Sequence, residues 1–242
     1  MKKIKITKFL AILLVCVLAL QTAALAAERL VPGGMTVGLE LKTRGIVVSR
    51  LTEVETESGM VSPAKEAGIV PGDCIIKLDG NEIGSGKEFV DYVSKLDGGE
   101  ISVTLMRTEK QLQFTVTPAK SKIGVWQLGM WLRDGASGIG TVTYYDPESG
   151  KYGALGHGVN DIDNGLILPI MDGKVCRSTI MDIISGKNGC PGELCGIIDP
   201  QTELGDIETN TPFGIFGVLT SFPGKNDGVE TVSDAEIKIG KA

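Results

Sequence analysis

The chain is poor in several residue types that carry chemistry or bind nucleic acid. Its 242 residues include one histidine, 5% aromatic residues, and 30 acidic against 24 basic side chains, for a formal net charge of -6. Residues 1–8 hold four lysines and no acid, so the remainder of the chain is near -10. Because nucleic-acid-binding domains usually carry a basic patch, we expect no nucleic-acid partner.

Recognisable metal and cofactor motifs are missing as well. The sequence contains no H-E-x-x-H motif and no glycine-rich phosphate loop. Cys190 and Cys195 are spaced too widely for a C-x-x-C metal pair. We therefore predict no metal and no cofactor. Beyond residue 27 there are four cysteines, Cys74, Cys176, Cys190 and Cys195, which permit either buried thiols or a disulfide whose connectivity the sequence does not reveal.

Only one long apolar run occurs, and it stands at the start of the chain. A cationic stretch at residues 1–8 precedes apolar residues 9–20 and the small-residue stretch 21–27. This order is typical of a secretory signal, although the segment would also serve as an uncleaved anchor if the apolar run extended to Ala27. Residues 1–27 are thus predicted to be a signal peptide or N-terminal membrane anchor. We expect the rest of the chain to be exported and extracytoplasmic.

Short strand-like runs alternate with turn residues between positions 34 and 118. Ser62 and Pro63 are suited to begin a short helix, and Gly68 is suited to end it. Alternating or β-branched residues predict strands at 45–49, 74–78, 101–106 and 112–116. Residues 87–95 predict a helix with Phe89, Val90 and Val93 on one face.

The run S-P-A-K-E-A-G-I-V-P-G-D-C-I-I-K-L-D-G at residues 62–80 resembles the signature of bacterial PDZ domains, and the resemblance covers about residues 34–118. PDZ domains bind an extended peptide as an added strand. The resemblance implies a carboxylate-binding loop and a facing helical wall. These are Val37, Gly38, Leu39 and Glu40 for the loop, and Phe89, Val90 and Val93 for the wall. Since Glu40 would repel a free carboxylate, an internal or basic peptide is an alternative ligand. A domain that only packs against its neighbour is another alternative.

Residues 120–242 show short strand-like runs and no long helical pattern. The runs lie at 126–132, 139–145, 166–170 and 213–220, separated by turn pairs such as Asp146-Pro147 and Asp172-Gly173. Many short strands at this spacing predict a barrel or sandwich. The whole chain is therefore predicted to be mainly β with minor α.

His157 is bracketed by glycines in the run G-A-L-G-H-G. A histidine in this position would serve as a general base or as a structural hydrogen-bonding group. Asp161 and Asp163 follow closely. They would orient the imidazole or cap the turn that ends at Gly165, and the sequence favours the cap.

Residues 133–163, R-D-G-A-S-G-I-G-T-V-T-Y-Y-D-P-E-S-G-K-Y-G-A-L-G-H-G-V-N-D-I-D, closely resemble the SpoIVB family of sporulation serine peptidases. Residues 205–217, G-D-I-E-T-N-T-P-F-G-I-F-G, resemble a second block of that family. The resemblance implies a chymotrypsin-like double barrel and a serine nucleophile activated by His157. It also implies a setting between the two forespore membranes and a role in sporulation signalling. There the family cleaves a regulator of a membrane-embedded protease complex, which permits sigma-factor activation.

The sequence departs from this family at the nucleophile. No G-M-S-G-S-P type segment and no accompanying aspartate occur before Ala242, and Ser137 lies on the wrong side of His157. We therefore predict the front part of a serine endopeptidase that is inactive alone. The alternatives are a non-catalytic PDZ adaptor and a half-enzyme completed in trans. A partial barrel is also expected to leave an unpaired sheet edge.

Overall fold

The structure is a computed structural model that describes residues 29–221 and 229–230. The predicted signal peptide or anchor at residues 1–27 lies outside these residues. The described residues are mostly strand with little helix, which confirms the prediction of a mainly β protein. None of the helices in this part of the chain is long and apolar enough to cross a membrane.

Residues 29–120 contain two short helices among nine strands. The strands and helices predicted between residues 45 and 116 are all present. Their ends shift by at most two residues, except that the strand predicted at 45–49 begins at Thr36. The elements are β1 (Arg29–Pro32), β2 (Thr36–Leu51), β3 (Val54–Thr56), β4 (Gly59–Val61), α1 (Pro63–Glu66), β5 (Cys74–Leu78), β6 (Asn81–Glu82), α2 (Gly86–Ser94), β7 (Ile101–Arg107), β8 (Lys110–Val116) and β9 (Ala119–Lys120).

Local chemistry accounts for α2 and for its packing. The Ser85 hydroxyl accepts a hydrogen bond from the Glu88 N–H at 3.2 Å, which caps the start of the helix. Phe89 and Val93 lie four residues apart on one helical face. Both are buried in a core formed with β2, β5 and β7, where Ile46 and Ile75 are completely buried.

The described residues after 121 form strands and no helix. They are β10 (Trp126–Gln127), β11 (Met130–Tyr145), β12 (Lys151–Ala154), β13 (Ile170–Ile184), β14 (Glu193–Thr211), β15 (Gly214–Leu219) and β16 (Val229–Glu230). The predicted strand at 166–170 was wrong. There Ile167 makes one isolated bridge to Asn160, and Ile170 begins β13. The Asp172-Gly173 pair lies inside β13 rather than in a turn.

Six antiparallel strands close into a barrel. Their order is β11, β12, β15, β14, β13 and β2, and β2 pairs again with β11. The interior is filled by buried residues that include Val37, Val175, Ile207 and Ile215. The expectation of an open, unpaired barrel edge was therefore wrong, because β2, which lies at the start of the predicted PDZ segment, supplies the strand that closes the ring.

Strand β2 belongs to two hydrophobic cores. Val37, Leu39 and Leu41 in its first half face the barrel interior, whereas Ile46 and Val48 in its second half lie in the core with α2. A Cβ at Gly45, between the halves, would lie 2.5 Å from the Ile75 carbonyl oxygen. The segments predicted as domains, 34–118 and 120–242, are thus joined through one shared strand.

All four cysteines of the described residues are free thiols. Cys74 and Cys176 are buried, whereas Cys190 is exposed near the tip of the β13–β14 hairpin. Burial raises the pKa of Cys74 to about 11. Because the thiolate is the reactive form, Cys74 is a packing residue rather than a nucleophile.

Candidate active site and peptide groove

A strained turn presents His157 at the end of β12. Leu155 and Gly156 have φ angles of 73° and 77°, and this left-handed region is unfavourable for leucine. A Cβ at Gly158 would lie 2.7 Å from the Thr211 carbonyl oxygen. The turn therefore needs glycine at Gly158, and it leaves the His157 side chain exposed.

The hydrogen bond of His157 fixes its tautomer. Nδ1 lies 3.0 Å from the Gly158 carbonyl oxygen. A carbonyl oxygen can only accept a hydrogen bond, so Nδ1 carries the proton and Nε2 of the neutral ring keeps its lone pair. His157 lines a cavity of about 470 Å³ between β2 and β11. An unprotonated ring nitrogen at a cavity is what a general base requires.

The structure brings Ser137 to the same cavity. It is exposed and lies on β11, beside Gly138 and Ile139, which line the cavity as well. An activated nucleophile hydrogen bonds to its base. Within the described residues, however, the ring bonds only to Gly158. Ser137 is therefore a neighbour of His157 and does not form an activated pair with it.

Asp161 caps the turn after His157 and does not bond to the imidazole. Its Oδ1 accepts hydrogen bonds from the N–H groups of Asp163 at 2.8 Å and Asn164 at 3.2 Å. Its Oδ2 accepts from Ser49 Oγ at 2.6 Å and from Arg133 Nε at 2.8 Å. Asp161 thus connects the His157 loop to β2 and β11.

Hydrogen bonding also decides the charge of Asp161, whose side chain is only 1% exposed. Burial alone would raise the pKa of this carboxyl, but the bonds from Ser49, Arg133 and the two N–H groups outweigh burial and lower the pKa. The group is therefore a buried carboxylate, fully hydrogen bonded, at neutral pH.

The predicted carboxylate-binding loop, Val37, Gly38, Leu39 and Glu40, was wrong. These residues lie inside β2, which pairs with β11 on one side and with β13 on the other. Their backbone N–H groups are thus used in pairing within the sheet, so none is available to bind a ligand. Gly38 is required for packing, since a Cβ there would lie 2.5 Å from Ile198 Cγ2.

The predicted helical wall does line a groove. Phe89, Val90 and Val93 of α2 face residues 125–132 across a cavity of about 310 Å³. Phe89 and Val93 are buried and form its floor together with Leu128, whereas Val90 is 59% exposed at its rim. The groove therefore exists, but a later segment of the chain provides its second wall.

This second wall has unused backbone donors. Thr52 N–H donates to the Gly129 carbonyl at 3.0 Å, beside the pair Met130–Leu51. In that antiparallel arrangement the N–H of Met130 points away from β2. The N–H groups of Leu128 and Gly129 donate to no group in the described residues. The sequence predicted a strand-like run at 126–132 but not its role as a groove wall, because only the pairing of Met130 with Leu51 shows where its N–H groups point.

Residues 124–242 match the family model of the SpoIVB peptidase S55, and residues 33–117 match the PDZ domain model. The chain joins a PDZ domain to a SpoIVB-type S55 peptidase domain. This confirms the family predicted from the two sequence blocks around His157 and Asn210. His157 and the six-stranded barrel, apart from β2, lie within the S55 domain.

The chain is similar to parts of two known proteins. Zinc metalloprotease RasP of Shouchella clausii is 30% identical over 151 residues, which are 61% of this chain and 33% of that protein. The crystal structure of the PDZ domain of an SdrC-like protein from Listeria monocytogenes is 28% identical, covering 36% of this chain and 86% of that one, with a TM-score of 0.30. The chain spans about a fifth to a third of the curated relatives it matches.

Among the described residues, no cluster of three or more potential ligands could hold a metal.

Asn210 of the S55 domain holds the His157 loop in place. Its Oδ1 accepts from the Val159 N–H at 2.8 Å, and its Nδ2 donates to the carbonyls of Val159 at 2.8 Å and Leu168 at 3.1 Å. A side-chain amide supplies one acceptor and two donors at one position. The sequence showed Asn210 as part of a family block, but its role becomes visible only in the folded loop.

Proposed function

We propose that this protein acts as a serine endopeptidase in which His157 is the general base. The observation that carries the proposal is the free Nε2 of an exposed histidine, held by the Gly158 carbonyl at a cavity of an S55 domain. A serine hydroxyl would attack the peptide carbonyl while Nε2 accepts its proton. His157 would then return that proton to the leaving amine.

The groove beside α2 would bind the peptide or protein that the enzyme acts on or is regulated by. A PDZ domain is a peptide-binding module, and this groove offers an apolar floor and unused backbone donors at Leu128 and Gly129. These features suit an extended segment with an apolar side chain. The ligand would be a segment of the substrate, of the enzyme itself, or of a partner in a membrane-embedded protease complex.

We further propose a role in sporulation signalling, supported by the match to the SpoIVB model. The substrate would be a protein that regulates an intramembrane protease. Cleavage of this regulator would permit activation of a sigma factor. The site of action would be extracytoplasmic, in the space between the forespore membranes, with the protein exported and membrane-associated through residues 1–27. The order of charged, apolar and small residues there supports export.

Labelling with a fluorophosphonate tests the catalytic proposal. The probe is applied to the product of the complete reading frame, with His157→Ala and Lys122→Gln as variants. We expect one labelled serine, loss of labelling in His157→Ala, and full labelling in Lys122→Gln, which removes an exposed ion pair with Glu55. Absence of labelling, or labelling that survives His157→Ala, would contradict the proposal.

A non-catalytic adaptor is the second candidate. It is favoured by a well-formed groove in a chain whose 242 residues contain no G-M-S-G-S-P type segment. An adaptor would bind peptide at the groove and show no labelled serine. Labelling that appears only after a second protein is added would instead indicate a half-enzyme completed in trans.

A further inference from the structure

One strand lines both the peptide groove and the His157 cavity. At its start, Met130, Trp131 and Leu132 of β11 form part of the groove wall. A few residues later, Ser137 and Ile139 of the same strand line the cavity at His157. The groove and the cavity are therefore joined along one continuous strand.

Asp134 fastens β11 to the groove helix. Its Oδ2 accepts a hydrogen bond from the N–H of Gly86, the first residue of α2, at 2.9 Å. A carboxylate at a helix N-terminus also interacts favourably with the helix dipole. The position of α2, which forms one wall of the groove, is thereby tied to the middle of β11.

Arg133, the preceding residue, fastens β11 to the His157 loop. Its Nε donates to Asp161 at 2.8 Å and its Nη2 to Asp163 at 3.3 Å. Arg133 and Asp134, adjacent residues of β11, therefore bond to the His157 loop and to the groove helix, respectively.

This stretch is also where the pairing of β11 with β2 is irregular. The register shifts between Trp131 and Leu132, and again between Arg133 and Gly135. Irregularities of this kind bend a strand and interrupt its ladder. Among the described strands only β2 pairs with residues 130–133, so their other edge is open to an added strand.

We propose that a peptide bound in the groove acts on His157 through Arg133 and Asp134. The inference rests on the proposed peptide-binding function of the groove. A peptide strand between α2 and β11 contacts both walls and shifts β11 where its ladder is irregular. Arg133 carries that shift to Asp161, four residues after His157. Coupling of this kind is reciprocal, so the state of the Arg133–Asp161 pair also changes peptide affinity.

The composition of the chain supplies one reporter for the groove and a separate one for the His157 cavity. Its two tryptophans, Trp126 and Trp131, both line the groove, so their fluorescence reports peptide binding. Its single histidine is His157, so the imidazole Hε1 resonance reports the distant cavity. The probe is the tightest peptide selected on the full chain from a random library of short peptides with free C-termini.

We expect the His157 resonance to shift on addition of this peptide and to saturate at the same concentration as the fluorescence change. In Arg133→Gln the fluorescence change persists and the His157 shift is lost. The pair Arg133→Gln with Asp161→Asn gives the same result without an unpaired buried carboxylate. Lys122→Gln, at a surface ion pair, retains both signals.

The outcomes separate the two proposals. If no peptide is selected and no fluorescence change occurs, the proposed peptide binding fails and the inference fails with it. If fluorescence changes while His157 does not respond in the unmodified chain, peptide binding stands and the coupling is refuted. A His157 shift that persists unchanged in both Arg133 variants likewise refutes the route through Arg133.

Discussion

Arg107 donates two hydrogen bonds to Asp73, from Nε to Oδ1 at 2.7 Å and from Nη2 to Oδ2 at 2.8 Å. The Asp73 side chain is completely buried, and its Oδ2 also accepts from the Val70 N–H at 2.9 Å. Nη2 of Arg107 also donates a hydrogen bond to the Gly68 carbonyl oxygen at 2.9 Å. The aspartate of the P-G-D run thus anchors the end of the α1 turn to β7.

Asp73→Ala should therefore destabilise the PDZ part of the protein. Loss of a buried carboxylate that accepts three hydrogen bonds is expected to lower the free energy of unfolding by about 3 kcal/mol. Urea denaturation followed by tryptophan fluorescence measures the change. Glu55→Ala, which removes an exposed ion pair with Lys122, is the control and should leave the midpoint nearly unchanged. Equal midpoints for both variants would disprove a structural role for Asp73.

Gly38→Ala distinguishes packing from ligand binding at β2. The added methyl would collide with Ile198, so we expect a loss of about 1–3 kcal/mol of stability. Peptide binding should persist in the folded fraction, because Gly38 is remote from the groove lining. Thermal denaturation and fluorescence titration measure the two quantities. Unchanged stability together with lost binding would restore the carboxylate loop at residues 37–40.

Val90→Lys and Phe89→Ala separate the rim of the groove from its floor. Val90 is 59% exposed, so its replacement should weaken binding of an apolar peptide and leave stability nearly unchanged. Phe89 is 4% exposed, and its truncation should lower stability by about 3–5 kcal/mol. Peptide titration and urea denaturation of both variants test this. A Val90→Lys protein that binds as tightly as the unmodified chain would argue against this groove.

The Asp161 carboxylate makes stability depend on pH in the acid range. Its pKa is lower in the folded protein than the ordinary value of about 3.9. Its contribution is therefore fully present above that value and is lost as pH falls through the folded pKa. Denaturation midpoints of the unmodified chain should fall more steeply below about pH 5 than those of Asp161→Asn. Parallel pH profiles would show that the folded and unfolded pKa values are equal.

The sequence predicted the PDZ elements because their signals are local. Ser62 with Pro63 begins α1, and the spacing of Phe89 and Val93 defines the buried face of α2. The full length of β2 could not be predicted, since Thr36 to Lys42 are held by strands about a hundred or more residues later. The β13–β14 hairpin was missed for a related reason. A turn pair, Asp172-Gly173, is accommodated within a strand that has partners on both sides.

The candidate site was predicted in part. The family blocks identified His157, and Asp161 was expected to cap its turn, as it does. The bonds from Ser49 and Arg133 to Asp161 join residues 112 and 28 positions apart, so no local pattern contains them. The groove wall was misplaced because its donors at Leu128 and Gly129 depend on how the following strand pairs.

The sharing of β2 sets an order of events when the chain is synthesised. Its second half can pair with β5 soon after leaving the ribosome, but Val37 and Leu39 must wait for β11 and β13. Pairing across such separations is slow, and the waiting edge is exposed to wrong partners. The peptidase barrel is then the last part to mature, and its completion depends on a segment made at the start of the PDZ domain. A peptidase fragment that starts after residue 118 would lack that segment and should not reach the folded state.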